Sequence, residues 1–248
     1  MTTNPAIRGI LLDIEGTTTP IAFVHEVLFP YARSHVKSYL ATHLDSPETA
    51  GDLALLRAEH ARDVQQQLRP PVLVTTPRDA EIDSVVSYVG WLIDRDRKSP
   101  GLKSLQGKIW KQGYLEGTLQ APLFADVLPA LKRWRHAGLK VAIFSSGSVL
   151  AQKLLFAHTR SGDVTQFIDA YFDTSSGTKT AMESYRRIAS DLGLAAEELL
   201  FISDVVAELD AAKVAGLQTV LCIRPGNQRQ PLAHGHKIIR SFDEIALA

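Results

Sequence analysis

Six short apolar runs, separated mostly by helical patterns, confine this chain to a narrow class of folds. The runs are "GILLDI" at 9–14, "KVAIFSSG" at 140–147, "AYFDT" at 170–174, "LLFISD" at 199–204, "TVLCI" at 219–223 and "KIIRSF" at 237–242. Between them, "LPALKRWRHAG" and "AMESYRRIASDLG" place apolar residues at three- and four-residue spacing and close on Gly138 and Gly193; "AELDAAKVAG" does the same up to Gly216. Glycine stops a helix because it enters the left-handed conformation without a Cβ penalty. Strands that alternate with helices predict a parallel sheet covered on both faces.

Residues 20–122 break that alternation. The stretch is rich in helix formers, as in "DLALLRAEHARDVQQQL" and "EIDSVVSYVGWLIDRDRK", and shows no convincing strand pattern. It reads as a helical domain inserted after the first strand, with 1–19 and 123–248 forming the α/β core. An insert leaving the carboxyl edge of a parallel sheet is expected to roof a site there. At 248 residues and 45% apolar composition the chain can bury a substantial core.

Charge and targeting signals narrow the partners. Basic and acidic residues balance at 27 each with no basic run, which argues against nucleic acid, whose phosphates call for clustered cations. The start "MTTNPAIRG" has no cationic lead or apolar core, and no apolar stretch is long enough to span a bilayer. A cytoplasmic protein without a membrane partner is expected, and without heptads the default is a monomer. Cys222, the only cysteine, reads as a buried strand residue rather than a catalytic thiol. "HGH" at 234–236 reads as a loop rather than a zinc site.

The polar residues at the ends of the runs carry the chemistry. Asp13 and Glu15 follow the first run, Ser145 and Ser146 the second, Asp204 the fourth, and Lys179 precedes a helix in "GTKTAMESY". Each has an ordinary alternative: a turn or N-cap for Asp13 and Asp204, a strand-to-helix turn for the serines, a solvated surface for Lys179. Together at one sheet edge they suit phosphoryl transfer, with acids holding Mg²⁺ while hydroxyls and an ammonium neutralise phosphate oxygens. A cation also answers the repulsion between two acids one residue apart.

These motifs resemble the haloacid dehalogenase superfamily, whose first motif is an apolar strand, Asp, any residue, Asp, any residue, Thr or Val. Glu15 departs from that pattern. "DIEGTT" is instead similar to the enolase-phosphatases of methionine salvage, as are "SLQGKIWKQGY", "FSSGSVLAQKLLF", "DTSSGTKTAMESY", "FISDVVAELDAAKVAG" and "IRPGN", over residues 9–227. The resemblance implies a Rossmann-like parallel-sheet core with an inserted α-helical cap. It makes Asp13 the nucleophile that forms an aspartyl-phosphate, Asp13, Glu15 and Asp204 the Mg²⁺ site, and Ser145, Ser146 and Lys179 the phosphate grip. Glu15 would bind the metal through its main chain, leaving its side chain for acid–base work. The implied reaction enolises 2,3-diketo-5-methylthiopentyl 1-phosphate and then hydrolyses the enol phosphate to an acireductone and phosphate. The motifs do not single out the enolisation base, for which Glu15 or a residue of the insert is the expectation.

Further residues stay open between two readings. Glu208 and Asp210 either orient ligands or lie on a helix surface. Phe23, Phe29, Trp110 and Tyr114 either line a pocket for a thioether or pack helices, with packing the favoured reading for each. A generic phosphatase of another small ester, and a phospho-accepting signalling module that gathers similar groups around Mg²⁺, are the rival functions. Glu15 and "LQGKIW" count against the first, and the long insert against the second.

Overall fold

The structure, a computed structural model, describes residues 6–97, 99–231 and 233–246. The chain divides into two compact units: one runs to Val24 and resumes at Gln120, and the other is His25–Leu119. Among the described residues, no helix is long and apolar enough to cross a membrane.

The first unit is built on six parallel strands: β1 (Gly9–Leu12), β2 (Lys140–Phe144), β3 (Ala170–Phe172), β4 (Leu199–Ser203), β5 (Gln218–Cys222) and β6 (Lys237–Ile239). Their order is β3-β2-β1-β4-β5-β6. Leu12 pairs with Ile143 on one side and Ile202 on the other. The order reverses beside β1, which puts a crevice at its carboxyl end. Every residue of β1 and β4 is buried, as expected of strands covered on both faces.

Several runs stop short of their predicted ends because side chains capture the next backbone groups. Ile14 N–H turns to Asp13 Oδ1 at 2.8 Å, ending β1 after Leu12. Asp173 accepts from Ser175 and Val149 N–H at 2.9 and 3.1 Å, which ends β3 at Phe172. Glu244 takes the N–H groups of Arg240 and Ser241 at 2.7 and 2.9 Å, so β6 ends at Ile239.

The helices of this unit are labelled here α5 (Val127–His136), α6 (Val149–Ala157), α7 (Met182–Asp191) and α8 (Val206–Val214). Helices α7 and α8 close one face around Leu11, Phe144, Tyr185, Ile188, Phe201 and Leu209. Tyr185 packs edge-on against Phe144 at 5.6 Å and lies 5.1 Å from Phe201. Each large side chain removed from water here contributes about 1.5–3 kcal/mol. Helix α5 packs against β2 and buries Ala130, Leu131 and Trp134.

The second unit holds α1 (Phe29–His43), α2 (Pro47–Gln65), α3 (Arg78–Ile93) and α4 (Pro100–Leu115). Two Ser-Pro dipeptides start helices: Ser46 and Ser99 accept from Thr49 and Leu102 N–H, with Pro47 and Pro100 in the first turn. Helices α1 and α4, α2 and α4, and α1 and α3 pack together. Trp110 and Tyr114 are buried in this unit, and the Trp110 indole N–H donates to Leu28 O at 2.8 Å. Phe29 is half-buried, with its ring 6.3 Å from Trp110, and Phe23 is buried. The contacts of Phe29 and Trp110 agree with the packing reading for that pair.

Candidate active site

The site is assembled at the carboxyl edge of β1, β2 and β4. Asp13 leaves β1 with its N–H still bonded to Ile202 O at 3.0 Å, so its carboxyl group is carried by the sheet rather than by a loose loop. The side chain is buried and accepts from Lys179 Nζ at 2.6 Å. Behind it the chain turns through Gly16 (φ +75). Thr18 Oγ1 donates to Ile14 O at 3.2 Å, tightening that turn. Thr17 and Thr19 are fully buried, and their hydroxyls have no hydrogen-bond partner.

Ser145 follows β2, is buried, and accepts from Gly147 N–H at 3.1 Å while donating to Glu15 Oε2 at 3.4 Å. Ser146 is half-buried beside it. The third serine of the cluster does something else, since Ser148 caps α6 by accepting from Ala151 N–H at 3.3 Å. Asp204 follows β4 and is buried. It is not the N-cap of α8, since Val205 holds that position.

Lys179 comes from the loop before α7, not from a strand end. The Tyr185 hydroxyl donates to its carbonyl at 2.6 Å, and Ser184 Oγ donates to Thr178 O at 2.7 Å. Gly177 has φ +120, and a Cβ there would stand 2.2 Å from Ser184 Oγ, so the close approach of this loop needs glycine. Lys179 bridges Asp13 and Glu208, the latter at 2.7 Å, and Ser203 Oγ also donates to Glu208 Oε2 at 3.0 Å. Glu208 therefore belongs to the site. Asp210 does not: its side chain is 63% exposed and meets His236 Nε2 at 3.0 Å. His236 Nδ1 in turn pairs with Thr219 Oγ1 at 2.8 Å, which occupies the "HGH" segment structurally.

The electrostatics are those of an acid-rich pocket. Burial, with the Asp13 charge, raises Glu15 above the ordinary glutamate range. Burial and the negative charges of Asp13 and Glu208 push Asp204 up to about 7. Glu208 is also pushed up to about 7, by burial and Asp13, against the opposing pull of Lys179. Burial works against the charge on Lys179, yet Asp13, Glu208 and Glu15 outweigh it and hold the amine above the usual lysine value.

Four carboxyl groups thus face one ammonium, an arrangement that calls for a further cation. Carboxylate and carbonyl oxygens are the donors a hard divalent ion prefers. Among the described residues no three Asp, Glu, His or Cys side chains converge as a complete cage. The donor set fits such an ion if a main-chain oxygen joins the Asp13 and Asp204 carboxylates. Sequence reasoning missed Asn227, whose Nδ2 donates to Gly16 O at 2.9 Å. The "IRPGN" segment was the available signal.

The crevice beside β1 and its acids define a haloacid dehalogenase-like hydrolase, and the family model of that description matches residues 7–216. The chain is 52% identical over 242 residues to enolase-phosphatase E1 of Synechococcus elongatus, covering 97% of this chain and 98% of that one. It is 41% identical to enolase-phosphatase E1 of Danio rerio, covering 97% and 95%. A solved structure of the UTR4 protein of Saccharomyces cerevisiae is similar at TM-score 0.76 and 36% identity, covering 96% of this chain and all of that one. The chain belongs to the enolase-phosphatase E1 family.

Proposed function

We propose that this chain is a Mg²⁺-dependent enolase-phosphatase of methionine salvage. It enolises 2,3-diketo-5-methylthiopentyl 1-phosphate and hydrolyses the enol phosphate to 1,2-dihydroxy-3-keto-5-methylthiopentene and phosphate. The observation that carries the reading is the buried Asp13 held on Lys179 at the end of β1, with Glu15 turned to Ser145 rather than to that lysine. A nucleophile and a separate acid–base group stand side by side.

Asp13 is the nucleophile in this reading. The Ile14 N–H and Lys179 anchor Oδ1, the oxygen that would also be offered to a cation, and Oδ2 attacks phosphorus. An Oδ2–P bond forms as the bond from phosphorus to the enol oxygen breaks, and that oxygen takes a proton from Glu15. The raised pKa of Glu15 suits it to this donation. Water then attacks the aspartyl-phosphate, Glu15 accepts the water's proton, and the Asp13–P bond breaks to release phosphate. Lys179, Ser145 and Ser146 hold the phosphoryl oxygens and neutralise charge that builds on them.

Asp13, Asp204 and the Glu15 carbonyl would hold Mg²⁺, which supplies Lewis-acid neutralisation of the phosphate and of an enolate oxygen. Glu15 or a residue of the helical unit removes the proton in enolisation, and the helical unit is assigned the cap role. Balanced charge supports a small phosphate ester, not nucleic acid, as partner; a cytoplasmic monomer completes the proposal.

The test follows enol absorbance and phosphate release together on the diketopentyl 1-phosphate, with Mg²⁺ and then with EDTA. Mg²⁺-dependent enol formation followed by phosphate is expected. Phosphate release from simple esters without enolisation of the diketone would overturn the bifunctional reading in favour of a generic phosphatase.

A further inference from the structure

The segment "IRPGN" at 223–227 has no part in the chemistry above, yet both of its polar side chains reach the turn behind Asp13. Arg224 Nε donates to Thr17 O at 3.2 Å, and its two terminal nitrogens meet Asp126 at 3.0 and 2.8 Å. The guanidinium also lies 4.6 and 4.7 Å from the rings of Phe124 and Phe242. Arg224 is therefore fully engaged in holding the frame.

Asn227 is engaged at one end only. Its Nδ2 donates to Gly16 O at 2.9 Å and to Cys222 O at 3.3 Å. Two carbonyl acceptors decide which end of the amide is which, because only the NH₂ group can face them. Oδ1 must then point elsewhere, and it is buried without a hydrogen-bond partner. A Cβ on Gly16 would stand 2.8 Å from Asn227 Oδ1 and 2.5 Å from Asp204 Oδ2. An amide oxygen and a carboxyl oxygen thus flank one point; the amide oxygen can only accept, and a carboxylate that holds a cation is ionised and can only accept too.

We propose that Asn227 is a positioning residue of the cation site. Nδ2 pins the Gly16 carbonyl and with it the turn behind Asp13 and Glu15; Oδ1 accepts a hydrogen bond from a water carried by a divalent cation bound at Asp204. The inference rests on the metal reading above. A cation's water is the donor that two adjacent acceptors lack, since its two hydrogens can serve both. Glycine at position 16 has a second reason in this scheme, because any side chain would fill the place of that water.

The choice of cation separates this role from simple scaffolding. Mg²⁺ gives up its waters reluctantly, whereas Ca²⁺ takes protein oxygens directly. Titration calorimetry without substrate would measure Mg²⁺ and Ca²⁺ binding to the wild-type protein and to Asn227→Ala. A loss of Mg²⁺ affinity of about ten-fold is expected, with a much smaller loss for Ca²⁺. Asn227→Asp keeps an acceptor oxygen but gives up the Nδ2 bonds to Gly16 O and Cys222 O, so it is expected to change both affinities alike and keep the wild-type ratio of Mg²⁺ to Ca²⁺ affinity, and thermal melts of both variants establish that they are folded.

Unchanged Mg²⁺ binding in Asn227→Ala would overturn the proposal. An equal loss for both cations would overturn the water contact and reduce Asn227 to a clamp on Gly16. Wild-type protein that bound neither ion would instead overturn the metal reading, and this inference with it.

Discussion

Replacing Glu208 with glutamine removes a charge from the site while keeping its shape. Glu208 Oε2 accepts from both Lys179, at 2.7 Å, and Ser203 Oγ, at 3.0 Å. The glutamine carbonyl oxygen can accept the same two bonds, so the variant tests charge rather than contact. The side chains of Lys179 and Glu208 are only 10% and 12% exposed, so solvent screens the pair weakly. The Ser203 bond changes from charge-assisted to neutral, about 1.5–3 kcal/mol against about 1, while Lys179 keeps an ammonium-to-carbonyl bond and loses its ion pair with Glu208, so the change weakens the hold on Lys179 by about 1 kcal/mol or somewhat more. Each 1.4 kcal/mol is about ten-fold in rate, and kcat/KM for phosphate release should fall about five- to twenty-fold.

The same variant should shift a pH profile. Asp204 is pushed up to about 7 in part by the Glu208 charge, so Glu208→Gln should lower it and extend Mg²⁺ binding to more acidic pH. Steady-state phosphate release and Mg²⁺ titrations between pH 5.5 and 8, a range of roughly one unit or more either side of that pKa, give both readouts. Wild-type kcat/KM together with an unmoved pH midpoint would refute the assignment of Glu208 to the site.

Three further outcomes follow from the geometry. Asp13→Asn should abolish phosphate release while leaving enol formation detectable by absorbance; loss of both would mean that Asp13 serves the enolisation as well. Folded-state pKa values of about 7 for Asp204 and Glu208 lie above the ordinary values of about 4, so the metal-free fold binds more protons than the unfolded chain between those limits. The stability these groups contribute is complete below about pH 4 and is lost as pH rises through about 7. Thermal melts should therefore show a Mg²⁺-induced rise in Tm that is larger at pH 8 than at pH 6, and an equal rise would count against the shifts. Asp126→Asn should destabilise the fold without touching the chemistry: Asp126 holds Arg224 through both oxygens and accepts from Phe242 N–H at 2.6 Å, so its loss costs about 3 kcal/mol and lowers Tm by about 6–12 °C. Below the melt, kcat should stay near wild type.

Much of this molecule was legible in local patterns. The alternation of apolar runs and helical spacing named a parallel α/β core because strand and helix periods are short-range properties, written into neighbouring residues. The helical stretch after the first strand was legible for the same reason. Asp13, Glu15, Ser145 and Asp204 could be anticipated at one edge because a parallel sheet sends all its carboxyl ends in one direction. The ends of β3 and β6 could not, since Asp173 and Glu244 capture backbone groups only once the following turns have formed.

Tertiary structure alone decided which of several similar residues take part. Glu208 and Asp210 lie two positions apart on α8, and residues two apart on a helix face different directions, so one meets Lys179 and the other meets His236. Ser145 joins Glu15 while Ser148 is spent on a helix cap. Asn227 reaches Gly16 across 211 positions of sequence, a distance over which periodicity carries no information. The sequence by itself determined the architecture and the chemical vocabulary of the site; long-range packing decided which side chains use it, because contacts between distant segments exist only when the sheet order brings them together.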